Sequence, residues 1–498
     1  MTPQSHPQLI DATVAGLRAQ LDSREHTVRR LAEMHLERVM ELDEEGPNLR
    51  AVIQLNPEWE EQADRLDSAL EEGRAHGPLH GIPIFVKDNI DTGDLMLTTA
   101  GSLAMARVPP AGKDAPLVAR LREAGMLLLG KTNLSEWANF RSTRSSSGWS
   151  GRAGQCRNAH VVDRSPAGSS SGSAVAVAAG YAPVTVGTET DGSIIAPSAA
   201  NGIVGIKPGV GLVSRQGIVP ISRSQDTAGA HARHVRDAAL LLSVLSDGGR
   251  DYTAGLSKDA LKDRRIGVLR EPYTGYSEHV DRVYDSVLPA LRDLGAELID
   301  PAVLETASKL RAEGRELETT LMQFEFKAGI EAYLSAREGR GPRTLADLIR
   351  FNEENAQAEM PYFGQEIFEA AQKRGDLEDS EYIKARTTIQ RWARDEGIDA
   401  TLARHRLDAL IAPARPPSFV IDLINGDRNL GGCTQMAAVA GYPIITVPMG
   451  AVFDALPVGL AFFSGPGTEG LLLAMGYAFE QYVQARVTPR FLPTLDLP

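Results

Sequence analysis

The chain has 498 residues, room for about three folding units at ~150 residues each, and 43 % hydrophobic with 23 % charged residues describes a globular chain. That composition excludes a collagen-like, coiled-coil or mainly disordered architecture. Lys plus Arg number 52 against 65 Asp plus Glu, a net charge of −13, so no general basic surface is available to neutralise phosphates and direct nucleic-acid binding is not expected.

Val28, Leu31, Ala32, Leu36 and Val39 recur at helical spacing, as do Trp59, Ala63, Leu66 and Leu70. Residues 9–75 therefore read as an amphipathic helical region against the outside of the core. From Gly81 short apolar runs alternate with Gly-rich turns: Ile82–Val86 and Met126–Leu129 read as buried strands, with Pro116–Ala124 a helix between them. Ala174–Ala179 reads as an Ala-rich helix after a Ser/Gly loop, and Ala182–Gly187 as a strand before the loop Thr188–Ser193. Residues 251–405 turn polar and charged, with helical windows at Leu317–Leu334 and Glu381–Glu396, and predict a largely helical excursion. Strand texture returns at Leu407–Ala412, Pro443–Val447 and Val458–Phe463, so the core sheet draws on residues 80–250 and 405–498.

Cys156 and Cys433 are the only cysteines, too few for a thiolate metal cluster, and a reducing compartment is the simpler expectation. No window approaches about 18 uninterrupted apolar residues, and the first twenty residues lack a basic start followed by an apolar run. A cytoplasmic protein without membrane contact is expected, export of a processed form staying open.

Three motifs compete for the chemistry. Gly125-Met-Leu-Leu-Leu-Gly130-Lys131-Thr132 satisfies the phosphate-loop pattern, but Met-Leu-Leu-Leu has the texture of a buried strand, whereas a phosphate loop needs an open turn with inward N–H groups. Gly168-Ser-Ser170-Ser-Gly172 satisfies the nucleophile-elbow pattern, yet His160–Ala167 before it is polar, and only His231, His234, His279 and His405 follow as bases. A plain Ser/Gly linker is its bland alternative. The third constellation is dispersed: Lys87 after Ile82–Val86, the serine loop Ser169–Ser173, and Thr190-Asp-Gly-Ser193. A strand-end lysine is usually a solvated terminator and such a turn usually only a turn. Together, however, they supply amide cleavage without histidine, because a desolvated lysine can lose its proton near neutrality and a serine on a Gly-rich turn sits beside free N–H groups.

These residues resemble the amidase signature family along most of the chain. Gly81-Ile-Pro-Ile-Phe-Val-Lys87-Asp-Asn89, Gly130-Lys-Thr-Asn-Leu-Ser-Glu136, Ser165-Pro-Ala-Gly-Ser-Ser-Ser-Gly-Ser-Ala174, Gly187-Thr-Glu-Thr-Asp-Gly-Ser193 and Gly202-Ile-Val-Gly-Ile-Lys-Pro208 occur in the family's order. So do Ser224-Gln-Asp-Thr227, Gly441-Tyr-Pro-Ile-Ile-Thr-Val-Pro448 and Pro457-Val-Gly-Leu460. Asn139–Trp149 and the Thr-Asp-Gly-Ser turn look most like the bacterial peptide amidase branch. The resemblance implies an α/β/α sandwich around a mixed sheet and one amidase-signature domain over residues 1–498. It also implies a Ser–cis-Ser–Lys triad, with Ser193 the nucleophile, Ser169 the bridging serine after a cis peptide bond, and Lys87 the base. The backbone N–H groups of Thr190, Asp191, Gly192 and Ser193 would hold the oxyanion.

Departures from the common family pattern bear on substrate. Asp191-Gly-Ser-Ile-Ile195 stands where most members carry Gly-Gly-Ser-Ile-Arg, the signature loop reads Ser-Ser-Ser-Gly-Ser, and Ala159 follows Asn158. Family members carry the Gly-Lys-Thr-Asn segment without binding nucleotide through it, and Lys131 and Lys207 are expected to be structural. The implied reaction is hydrolysis of a carboxamide to carboxylate and ammonia, on C-terminally amidated peptides, by a monomer or homodimer needing no metal or cofactor. Alternatives are the glutamine-hydrolysing component of a tRNA-dependent amidotransferase, which works inside a complex, a broad-range small-amide amidase, and a silent binding protein. Residues 310–370 and 415–435 are expected to line the substrate entrance.

Overall fold

In the computed structural model, which describes residues 5–339 and 341–497, the short apolar runs become strands. In chain order these are β1 (Val52–Leu55), β2 (Pro83–Lys87), β3 (Leu127–Thr132), β4 (Trp149–Ser150), β5 (Gly154–Gln155), β6 (Val184–Glu189), β7 (Val204–Lys207), β8 (Thr227–Ala232), β9 (Arg265–Leu269), β10 (Glu297–Ala302), β11 (Ala409–Pro413), β12 (Ile444–Val452) and β13 (Leu456–Phe463). All but β4 and β5, which pair with each other, form one mixed sheet of order β1-β3-β2-β6-β8-β7-β12-β13-β11-β9-β10.

Side chains alternate between the faces of a strand, and here the alternation sorts them into two cores. Ile411, Ile445, Val447, Leu460 and Phe462 join one apolar cluster. Leu410, Ala412, Ile444, Ala461 and Phe463, their immediate neighbours in sequence, join another. A sheet covered on both faces follows, the α/β/α sandwich of the sequence reading. The parallel trio β3-β2-β6 is buried throughout, with Ile84 opposite Val184, Val86 opposite Val186 and Lys87 opposite Thr132. Its register delivers the end of β2 beside the end of β6. Helix Ser171–Ala179 is buried at every position, which its Ala and Ser side chains permit, and packs on β6.

Three strands fall in segments read as helical. β1 lies within 9–75 and pairs antiparallel with β3, while β9 and β10 lie within 251–405 and extend the opposite edge of the sheet. β1 is a four-residue, half-buried strand between strongly periodic helices, so a window tuned to helical spacing passes over it. β10, Glu-Leu-Ile-Asp-Pro-Ala, is a partly exposed edge strand with the polar composition of its surroundings. The core sheet therefore draws on more than residues 80–250 and 405–498. The helical windows at 317–334 and 381–396 are helices Arg315–Ser335 and Ser380–Ala393, the latter continued by a wide turn.

The strand read as Met126–Leu129 runs on to Thr132, so the Gly-Lys-Thr segment is sheet. Lys131 is buried and its amine is held by the Ile90 carbonyl and, at 3.2 Å, by Thr98 Oγ1. No loop is open to a phosphate there. Lys207 donates to the Ala437 carbonyl at 3.1 Å. Cys156 and Cys433 are free and buried. Among the described residues no helix is long and apolar enough to cross a membrane. The leader reading includes residues 1–4, which lie outside the described residues.

Candidate active site

β2 ends in Lys87, whose side chain is fully buried at 0 % exposure. Nζ lies 2.8 Å from Ser169 Oγ, 2.9 Å from Thr188 Oγ1 and 3.3 Å from the Thr188 carbonyl oxygen. Burial pushes the amine down to about 7, although Asp226 and Glu189 pull it back toward the charged form. A neutral amine has two hydrogens and one lone pair. Two of its three neighbours can accept those hydrogens, which leaves the lone pair for the Ser169 hydroxyl. Asn89 Nδ2 donates to Thr188 Oγ1 at 3.0 Å and fixes that rotor.

Ser169 belongs to the loop before helix Ser171–Ala179, and the Gly168–Ser169 peptide bond is cis. The Ser169 carbonyl accepts from the Ser135 N–H at 3.0 Å. Its neighbour Ser170, the serine of the elbow pattern, is tied off: its hydroxyl donates to the Thr188 carbonyl at 2.9 Å and accepts the Thr188 N–H at 3.2 Å. The nearest downstream candidate base, His231, is bonded instead to Ser198 Oγ at 2.8 Å, and burial pushes it down to about 3. Among the described residues no strand lies just before the loop, and no histidine hydrogen-bonds Ser170 as an elbow requires.

Ser193 closes the turn from β6 to helix Ile195–Ala200. Glu189 shapes this turn through Oε2, which accepts the N–H groups of Ile194 at 2.6 Å and Ile195 at 2.9 Å. Thr190 Oγ1 donates to Asp226 at 2.6 Å, and the Ser193 carbonyl accepts the Ser170 N–H at 3.1 Å, joining turn to serine loop. Gly192 has φ +79°, a conformation glycine adopts without cost. Among the described residues, no acceptor takes the N–H of Thr190, Asp191, Gly192 or Ser193. Four adjacent N–H groups on the cleft wall are thus without an acceptor in the protein.

That cleft has a volume of about 450 Å³ and is lined by Gly168 and the turn Thr190–Ser193. The two segments expected at the entrance contribute Arg315, Glu318, Met322 and Ile367 from one side, and Arg415, Phe419 and Asp427 from the other. Sequence reasoning missed the third wall, Asn139, Phe140, Ser142, Thr143, Ser145 and Ser147, although it lies in the Asn139–Trp149 stretch. It also missed Asn89, Thr188, Glu189 and Asp226 as supports of the lysine and the turn. Their only sequence signal was their place inside quoted motifs.

Fold and cleft together define an amidohydrolase acting on linear amides. The chain belongs to the Amidase family, whose sequence profile matches residues 32–473. A native peptide amidase from Stenotrophomonas maltophilia is 46 % identical and superposes with a TM-score of 0.91, over 97 % of this chain and 99 % of that one. A probable amidase of Arabidopsis thaliana is 34 % identical over 504 residues, 97 % of this chain and 92 % of that protein. A component of the glutamyl-tRNA(Gln) amidotransferase from Synechococcus sp. is 31 % identical, over 94 % and 92 % of the two chains.

Proposed function

We propose that this amidase hydrolyses the C-terminal carboxamide of peptides to carboxylate and ammonia, with Ser193 as nucleophile, Ser169 as bridging serine and Lys87 as base. The reading rests above all on the buried Lys87 amine, held near neutrality 2.8 Å from Ser169 Oγ. Lys87 takes the Ser169 proton as Ser169 takes that of Ser193, and Ser193 Oγ adds to the amide carbonyl. The N–H groups of the Thr190–Ser193 turn hold the oxyanion, each such donor being worth roughly 3–4 kcal/mol. The relay returns the proton to the departing nitrogen, the C–N bond breaks, and ammonia leaves an ester on Ser193. Water, deprotonated by the same relay, then cleaves the ester. The peptide as substrate is supported by the likeness to the Stenotrophomonas enzyme.

The test is ammonia release from a short amidated peptide, from glutamine and from a simple aromatic amide, each also with Ser193→Ala. Release from the peptide amide that vanishes in the variant is expected. Turnover of glutamine alone would transfer the chain to the amidotransferase reading, and broad turnover without preference for the peptide would make it a small-amide amidase.

Gly192→Ala tests the turn. A side chain at φ +79° costs about 1–2 kcal/mol, and the added Cβ would lie 3.1 Å from Thr434 Oγ1. The donors shift, so kcat is expected to fall at least ~10-fold with KM little changed, as when transition-state contacts are lost. Steady-state kinetics and urea unfolding read the two effects separately, and an unchanged kcat would release the turn from this role.

A further inference from the structure

Arg415, two residues beyond the end of β11, lines the same cleft as Ser193 and is only 6 % exposed. Its Nη1 is closed to solvent and has no hydrogen-bond partner among the described residues. Asp427 is the carboxylate that acts on it most, yet it forms no hydrogen bond or ion pair with it among the described residues, and both its oxygens face the Ser147 N–H at 3.1 Å. The guanidinium stands over the Phe419 ring at 6.0 Å, a contact that supports the cation but uses none of its N–H donors. A buried guanidinium nitrogen without an acceptor is costly, and a ligand oxygen seated against the Arg415 side chain in the cleft would offset that cost.

The charge of the cleft selects the ligand. Asp191 and Asp427 bring two carboxylates against the two guanidinium groups of Arg315 and Arg415, while burial pushes the neighbouring Glu318 carboxyl up to about 8 and keeps it protonated at neutral pH. A further carboxylate on the substrate would unbalance a cleft in which carboxylates and guanidinium groups already offset one another, whereas a carbonyl oxygen accepts from the guanidinium without adding charge. An N-acylated amino-acid amide carries such an oxygen close to the scissile carbonyl, on the acyl group of its α-nitrogen. A simple amide lacks it.

We propose that Arg415 is a specificity-determining residue that donates to the carbonyl oxygen acylating the α-nitrogen of the amidated residue, so that the enzyme selects peptide amides over simple amides. This rests on the peptide-amidase reading above and deepens it. It places the discriminating contact on one side chain, on the acyl side of the bond that breaks.

The experiment compares kcat/KM for N-acetylphenylalaninamide, for 3-phenylpropanamide, which lacks the acylamino group, and for succinamic acid, which ends in a carboxylate. Wild type, Arg415→Gln and Arg415→Met are assayed. Wild type is expected to prefer the acetylated amide to 3-phenylpropanamide at least ~10-fold, and both variants to lose most of that preference through a raised KM. The ratio is the readout because damage to the fold or to the chemistry lowers both rates and leaves it standing. A ratio preserved in the variants, or no preference in wild type, overturns the assignment while peptide-amide hydrolysis itself survives. Selective loss of succinamic acid turnover would overturn the neutral acceptor in favour of a carboxylate. Wild-type failure on N-acetylphenylalaninamide would remove the peptide-amidase reading, and Arg415's role with it.

Discussion

Ser193→Ala and Ser169→Ala are each expected to reduce kcat for amide hydrolysis by about 10⁴-fold or more, the scale seen when one member of a serine relay is removed. Ser170→Ala should behave differently, although Ser170 alone satisfies the elbow pattern. Its hydroxyl bridges the Thr188 N–H and carbonyl, so its removal takes the acceptor from a buried N–H and leaves the carbonyl with the Lys87 amine alone, at an expected cost of about 1–3 kcal/mol of stability. Because Thr188 also holds the Lys87 amine, a modest fall in rate accompanies it, within about tenfold on the same scale. A fluorophosphonate probe followed by peptide mass mapping checks the assignment independently. Label on the Ser193 peptide of wild type and of Ser170→Ala, with none on Ser193→Ala, is the expected pattern. Turnover that survives Ser193→Ala but disappears in Ser170→Ala would sink the triad.

What the sequence disclosed about this site was local. Lys87 ends an unbroken apolar run, and Ser193 ends a Gly-containing turn after a β-branched strand, so both announce themselves within a few residues. The choice between Ser169 and Ser170 was not local in that sense. The proposed choice rests on contacts to Lys87 and Thr188 across 82 and 18 residues, which no spacing rule within the loop encodes. The same limit explains Arg415. Its segment was expected at the entrance, but its lack of an acceptor depends on how Asp427 is oriented, toward Ser147, 280 residues away in sequence. In the fold, β2, β3, β6, β11, β12 and β13 were legible because burial on both faces makes their sequences largely apolar. β7 and β8 at the middle of the sheet, Val-Gly-Ile-Lys and Thr-Ala-Gly-Ala-His-Ala, are short or broken by small and polar residues and were not legible as strands. β1 and β10, at the two edges, carry polar residues and sit among helices, so nothing in their own composition separates them from the helical segments around them.

Lys87→Met is expected to eliminate activity and at the same time to yield a more stable protein near neutral pH. The two effects share one cause. An unfolded lysine titrates near 10.5 and the folded Lys87 amine at about 7, so between these values the native state binds fewer protons than the unfolded chain. Stability due to this group is therefore present above about pH 10.5 and is lost as the pH falls to about 7, below which it no longer changes. Each tenfold change in proton affinity is worth ~1.4 kcal/mol, which makes the neutral-pH cost several kcal/mol. Methionine removes that cost but leaves Ser169 and Thr188 short of one partner, so the net gain is expected to be about 1–3 kcal/mol near pH 7. Urea unfolding at about pH 7 and about pH 9.5 reads the sign directly: the advantage of Lys87→Met should shrink at the higher pH as the wild type recovers. In the wild type, kcat/KM should fall on the acid side with an apparent pKa near 7, because protonation of Lys87 removes the base. An amine that stayed charged would give the opposite stability result, wild type more stable than Lys87→Met at neutral pH, and would leave the relay without an acceptor for its proton.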